Sequence, residues 1–468
     1  MNNWKAIFFS IKFWTFCAIF LVTAGASCSI VPENKIISEN ITLEMWVVVD
    51  SKKDYRDIVE AYNEQFSNIK VNITKFRLED YEQELLNALA EDKGPDIFVV
   101  HNTDVRKNIS KIAPLPKEIS VPRVFSSSGF NRDVVVEIET IKTISPLQLE
   151  QVFVDIVAED VLINDEIYGL PQYVDTLALY YNRDLLNAAG FAQPPQFWSQ
   201  FQDMSGQLTK INLQNEIIQS GAALGTANNV QNAPDILALL MMQTGAQMTN
   251  EKKTIATFNN AITEDDTRRN PGIEGLRFYG DFARTPPTTA YSWNEDQPDN
   301  LETFINGKLA FFFGYSYHLP LIKAQSVGKL NFSVAPMVQI QNAQPINLAN
   351  YWIPTVSKKS ENIDPAWHFL QFIAGSKQVP KYLSVVGRPT ALRTLVDEEK
   401  NNQDIFAFAG QSLTAKNWYY GYNSDIAKKA FETMITQSIL QDSDTDINKQ
   451  LGKIINDASK IINQSYKK

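Results

Sequence analysis

The residues best suited to covalent chemistry each miss a requirement. Gly314–Tyr315–Ser316–Tyr317–His318 begins like the turn that exposes a nucleophilic serine, but His318 stands where a second glycine must permit the strain. Asn306–Gly307–Lys308 evokes a phosphate-binding loop, yet Glu302 occupies the place of its first glycine and Leu309 that of its magnesium-binding hydroxyl. The three histidines, His101, His318 and His368, lie far apart, and His368 sits among Trp367, Phe369 and Phe372, a setting that reads as core. No cysteine follows Cys28, so no zinc constellation is visible and neither a metal nor a cofactor is expected. Asp165–Glu166 and Asp265–Asp266 are adjacent carboxylates. Neighbours in a strand point to opposite faces, so these pairs read as solvated turns rather than as the two acids of a glycosidase.

What remains is aromatic and polar. The 468 residues include 8 Trp, 17 Tyr and 27 Phe, 11% of the chain. An aromatic face packs against the C–H side of a sugar ring, and fixed donors and acceptors satisfy the hydroxyls, because leaving a polar group unpaired is costly. Phe311–Phe313 and Trp367 lie in runs apolar enough to be core. Tyr315, Tyr317, Trp352 and Trp418 are the rings kept as candidates for a ligand site.

Composition sets the frame for these residues. With 44% hydrophobic and 21% charged residues, the chain has material for two domains. Its net charge is −10, and basic residues gather only in pairs such as Lys52–Lys53 and Lys358–Lys359, so nucleic acid is excluded as a partner. Lys5, the apolar run Ile7–Val22 and the small residues Ala24–Ser27 before Cys28 read as a secretory leader. An uncleaved anchor over Ile7–Ala26 is the alternative, and Lys12 argues against it.

The body then alternates strand and helix patterns. Ile41–Val49 reads as a strand buried on both faces. A helix capped by Asp54 follows, then a strand over Lys70–Lys75, a helix from Asp80 and a strand over Asp96–Val100. That order predicts a parallel α/β sheet, whose ligands bind beyond the carboxyl ends of its strands. Asp50 and Asn102 fall at such ends. Residues 110–162 are an irregular excursion able to decorate a cleft rim, with a helix expected over Leu147–Val157. Glu166–Asp184 contains a Gly-x-Pro break and an alternating strand, Asn182 or Asp184 can cap the next helix, and Gly190 can end it. Pro234–Ala246 is a helix apolar on nearly all sides, hence core.

Several segments, in order, are similar to the extracellular solute-binding proteins of ABC importers, the maltose-binding-type family. They are the Gly-Pro-Asp before the third strand, Gly169-x-Pro171, the YYNRD-L of 180–185, Ala189-Gly190-Phe191, Pro194-Pro195-x-x-Trp198, Phe304-x-Asn306-Gly307-Lys308-x-Ala310 and Gly387-x-Pro389-Thr390. The small residues before Cys28 likewise resemble a lipobox, with Gly25 departing from the usual leucine; the match implies lipidation at Cys28.

The resemblance implies an α/β, two-lobe periplasmic-binding-protein-like fold, each lobe a mixed, mostly parallel sheet flanked by helices, with the ligand cleft between. Lobe I is expected over 41–173 and 331–386, lobe II over 177–330 and 390–468, after a leader at 1–27 and a tether at 28–40. The implied function is capture of a sugar or oligosaccharide by hinge closure and delivery to a membrane permease. The protein would be a monomer anchored outside the cytoplasmic membrane, without catalysis. Asp175 would hydrogen-bond a sugar hydroxyl, or else cap a hinge turn, and Trp46 would line the site or pack beneath it. A cleft for a polyamine, peptide or polyol phosphate keeps the fold and stays open, as does an extracellular carbohydrate-active enzyme.

Overall fold

The computed structural model describes residues 40–126, 134–264, 266–284, 288–440 and 446–467. The expected leader, Cys28 and most of the tether lie outside them. The first sheet has the strand order Trp352–Val356, Ile97–His101, Ile41–Val47, Ile69–Lys75, parallel except for Trp352–Val356, which runs antiparallel to Ile97–His101. In Ile41–Val47 alternation places Leu43, Met45 and Val47 in the core and turns Trp46 to the other face. Asp54 does not cap the following helix. Its carboxylate takes the Ser51 amide at 2.7 Å and hydroxyl at 2.8 Å, closing a turn, and Tyr55 becomes the residue before Arg56–Asn63.

The second sheet runs Lys210–Ile211, Ile217–Ala222, Leu309–Gly314, Ala178–Asn182, Phe332–Ala335. Within this sheet only Ile217–Ala222 with Leu309–Gly314 is a parallel pair among the described strands, so the expected mostly parallel pattern holds for the first sheet and not for this one. All six residues of Leu309–Gly314, the central strand of this sheet, are buried, with the Arg183–Ala188, Trp198–Leu208 and Asn300–Ile305 helices packed against it. The Ala233–Gln243 helix is buried at nine positions, as its all-round apolar pattern requires. Asn182 accepts the amides of Asp184 and Leu185 and so caps Arg183–Ala188.

Buried apolar residues form two cores. One draws on residues between 43 and 174, between 349 and 396, and Ala415; the other on residues between 177 and 348 and between 407 and 466. Residues 331–348 were expected in lobe I. Phe332–Ala335 instead pairs with Ala178–Asn182 at the edge of the second sheet, and the chain returns to the first core only at Ala349. The crossings are joined in a small sheet of their own, ordered Ala415–Lys416, Asn347–Asn350, Asp175–Thr176.

The excursion is a hairpin. Glu118–Ser126 pairs with Val134–Lys142 over nine residues and rests on the Ile363–Ile373 helix, where Ser120 donates its amide to Asp364 at 2.9 Å. Asn68, just before the second strand, donates to the Pro122 carbonyl at 3.0 Å. The hairpin therefore sits at the amino ends of the parallel strands, away from the cleft end. The helix expected over Leu147–Val157 is two, Pro146–Val152 and Asp155–Val161, separated where Phe153 bridges Leu392 and Val154 donates its amide to Ala391.

Candidate functional site

The carboxyl ends of the first sheet carry a ribbon of rings. Trp46 lies 4.2 Å from Phe76, Phe76 6.1 Å from Tyr81, Tyr81 6.1 Å from Trp352, and Trp352 5.4 Å edge-on from His101, measured between ring centroids. Strand pairing explains the juxtaposition, because Trp352 opens an antiparallel strand directly opposite His101, the last residue of its neighbour. Trp46, Phe76, Trp352 and His101 are half-buried, and Tyr81 is buried among them. Burial pushes the His101 imidazole down to about 4, so it is neutral at pH 7. Its Nε2 lies 3.2 Å from the Asn350 side-chain oxygen.

Asn350 belongs to the small sheet of the crossings, the hinge sheet, and lies beside the Tyr315 hydroxyl, which joins the first wall to a second. There the Tyr315 hydroxyl donates to one Asp235 oxygen at 2.7 Å and the Trp418 indole N–H to the other at 3.0 Å. Asp235 is the third residue of the Ala233–Gln243 helix, where the helix dipole favours a carboxylate. Tyr317 stacks on Tyr315 at 5.8 Å and is 42% exposed. The turn bearing both tyrosines is held by Asp175, whose carboxylate accepts the Ser316 amide at 3.0 Å, the Ser316 hydroxyl at 2.7 Å and the Thr176 amide at 2.9 Å. Burial nonetheless raises the Asp175 carboxyl to about 6.

Of the residues anticipated, Trp46 and Trp352 are half-buried and Tyr317 is exposed. Tyr315 and Trp418 are 0% and 4% exposed and meet Asp235, with Trp418 packed 4.7 Å from Phe431 in the second core. Asp175 takes the turn-holding role rather than offering free lone pairs. Asp50 is a correction: it is buried, paired to Arg388 at 2.6 Å and bonded to the Tyr382 hydroxyl at 2.8 Å. Arg388 reaches it from the turn after Gly387, whose φ of +64° ends the Val379–Val386 helix. Asn102 is buried too, donating weakly toward Asp160 and the Ala349 carbonyl, both at 3.4 Å, while its side-chain oxygen has no partner.

Phe76, Asp235 and Asn350 were not singled out as site residues, whereas His101 falls directly before Asn102 at the end of the third strand. Phe76 and His101 carried a signal, since both stand at carboxyl ends of parallel strands. Asp235 after Asn232–Pro234 reads only as an ordinary helix start, and Asn350 gives no signal outside the hinge sheet.

Over residues 57–407 the sequence matches the family described as bacterial extracellular solute-binding protein. It is 22% identical over 249 residues to the multiple sugar-binding protein of Streptococcus mutans, a match spanning 52% of this chain and only 56% of that relative. Among solved structures, the sugar-binding protein MalE of Xanthomonas citri is 16% identical with a TM-score of 0.67, covering 90% of this chain and 98% of that one. An ABC transporter solute-binding protein of Thermotoga lettingae, bound with α-D-tagatose, is 18% identical with a TM-score of 0.62, covering 90% and 100%. At these identities the structures establish the two-lobe binding-protein fold. The family match covers three quarters of the chain, which belongs to the bacterial extracellular solute-binding proteins.

Proposed function

We propose that this protein is the capture subunit of an ABC importer and that its cleft takes a sugar or oligosaccharide. The observation that carries the reading is the ribbon Trp46–Phe76–Tyr81–Trp352–His101 set across Asn350 from the Tyr317 ring and Asp235. Rings offer faces to the C–H side of a pyranose, and neutral His101, Asn350 and the remaining lone pairs of Asp235 can pair its hydroxyls. The polar side chains that these contacts place on the walls are one imidazole, one amide and one carboxylate. No bond is made or broken in this reading. Closure of the lobes on the solute stabilises the closed form because only that form touches it from both sides, a hinge motion whose general example is the periplasmic binding proteins.

Thermal unfolding across mono- and oligosaccharides, spermidine, inorganic phosphate and short peptides tests the reading, with each mixture checked for cleavage. A ligand at 100 times its Kd adds about 2.7 kcal/mol and shifts the transition visibly. A shift with one class of sugar and no product is expected, and Trp352→Ala is expected to weaken that binding about tenfold, roughly 1.4 kcal/mol. Stabilisation by spermidine or phosphate alone would replace the sugar assignment, and product formation would replace the importer.

The same reading places the mature protein outside the cytoplasmic membrane as a lipid-anchored monomer, with Cys28 as its modified N-terminus. Detergent partitioning is expected to hold the native chain in the detergent phase through its lipid, and Cys28→Ala, which lacks that lipid, is expected either to be released or to be retained only by its uncleaved leader. Mass analysis of the N-terminal peptide distinguishes the lipidated cysteine from a retained leader.

A further inference from the structure

Away from the cleft rings, a loop of the second core reaches over to the first. Residues 249–256 form a tight turn, closed by a bridge between Thr249 and Ala256 and by Asn250, whose side-chain oxygen accepts the amides of Thr254 and Ile255. Met248 and Ala256, at the foot of the turn, belong to the second core. At its tip Lys253 has a φ of +53°, a region non-glycine residues rarely enter and keep only when their surroundings hold them there.

The surroundings here come from both lobes. The Lys253 ammonium donates to the Glu159 carbonyl at 3.0 Å, at the end of the Asp155–Val161 helix in the first core. It also lies 3.9 Å over the ring of Tyr420, a second-core residue. The Lys253 carbonyl accepts from Arg106, on the short Val105–Asn108 helix that follows the third strand of the first sheet. Around this lysine, the Glu159 carboxylate is paired with Lys416 at 2.7 Å and accepts weakly from the Tyr420 hydroxyl at 3.4 Å. Asp160 takes the Tyr351 hydroxyl at 2.7 Å and the Asn417 amide at 2.9 Å. A lysine held by a carbonyl, a ring and the end of an arginine, in a backbone conformation it does not prefer, is a fitted contact rather than a solvated side chain.

We infer that the 249–256 loop is a clasp between the lobes, and that Lys253 fixes the angle between them without touching the solute. The hinge sheet lies beside it, since Lys416 and Asn417 follow directly from the third crossing. Opening the lobes about that sheet separates Lys253 from Glu159 and Arg106 together, so the contacts are made or lost as a set. The clasp raises the share of molecules already at the angle of this structure, and a solute that needs this angle gains apparent affinity by the same factor. That last step rests on the proposed function; the angle itself does not.

The experiment therefore uses no ligand. The full chain, carrying Cys17→Ser and Cys28→Ser, receives one spin label on each lobe through Lys70→Cys and Lys308→Cys, both at exposed positions. Distances between the labels are read by double electron–electron resonance. The parent is expected to show the distance of this structure as its main population. Lys253→Gly, which suits the positive φ but removes the side chain, and Lys253→Met, which keeps the stem but removes the charge, are each expected to reduce that population at least threefold. Lys253→Gly is expected to do so without lowering the unfolding temperature, a split that a purely structural lysine would not give. Tyr420→Leu, which removes the ring beneath the ammonium, supplies a separate route should the loop variants fold poorly. An unchanged distance distribution in the folded variants, or a parent that lacks the distance of this structure, overturns the clasp and leaves the sugar assignment untouched.

Discussion

Asp175 accepts hydrogen bonds on both oxygens from Ser316 and Thr176, and those bonds draw the tyrosine-bearing turn against the hinge sheet. Its influence on a bound solute would pass through Tyr315 and Tyr317. Asp175→Asn keeps the shape but turns an N–H₂ toward donors that need an acceptor, in a site only 2% exposed. The expected cost is about 1.5–3 kcal/mol, the range for bonds to a charged group, read as a lower midpoint in urea unfolding. Ser316→Ala gives up the hydroxyl bond and leaves the two amide bonds, so its expected loss is smaller. Equal stability of Asp175→Asn and the parent would mean that the turn does not depend on the carboxylate. A second lesson at this scale concerns Asp50. A carboxylate at the end of a strand looks the same in sequence whether it faces a ligand or a partner 338 residues along the chain, and here the partner is Arg388.

Elements announced themselves in the sequence where local pattern and tertiary surroundings agree. The first three strands and their helices were legible because their apolar residues coincide with the buried positions, alternating in Ile41–Val47 and Ile69–Lys75 and continuous only in Ile97–His101, and because Gly94–Pro95 and similar breaks punctuate them. Ala233–Gln243 was legible for the same reason. The hinge sheet was not: Asp175–Thr176 and Ala415–Lys416 are two residues each, too short to carry a period, and exist only because Asn347–Asn350 lies between them. Phe332–Ala335 is a four-residue strand that would suit either sheet, and its placement follows from the edge left open beside Ala178–Asn182. Leu147–Val157 reads as one amphipathic helix, yet contacts from Ala391 and Leu392 take the backbone of Phe153 and Val154 out of it. The site shared this division. Its rings at strand ends could be named in advance, whereas Asp235 and Asn350 become site residues only once separate elements bring Tyr315, Trp418 and His101 to them.

At the scale of the whole molecule, burial sets two groups of titrating side chains against one another. His101, His318 and His368 are each pushed down by burial from 6.5 to about 4. The unfolded chain therefore binds more protons at these sites between about pH 4 and 6.5, and their share of the stability rises with pH across that window. Asp160 and Glu399 are pushed up by burial to about 7 and Asp175 to about 6, from 3.8 for the aspartates and 4.5 for the glutamate. Here the folded chain holds the extra protons, so their share falls as pH rises from about 4 toward 7. The two groups oppose each other over the same interval, and the unfolding free energy is expected to vary little between pH 4.5 and 6.5. Removing one histidine should expose the acids. His368→Gln is the mildest choice, because the amide oxygen can still accept from the Tyr62 hydroxyl that now lies 2.7 Å from the ring nitrogen. Urea titrations at half-unit pH steps should then show stability falling more steeply with rising pH than in the parent over that interval. A steeper rise in its place, or the same slope in both proteins, would mean that His368 does not titrate at a depressed value in the folded state and that the balance lies with other groups.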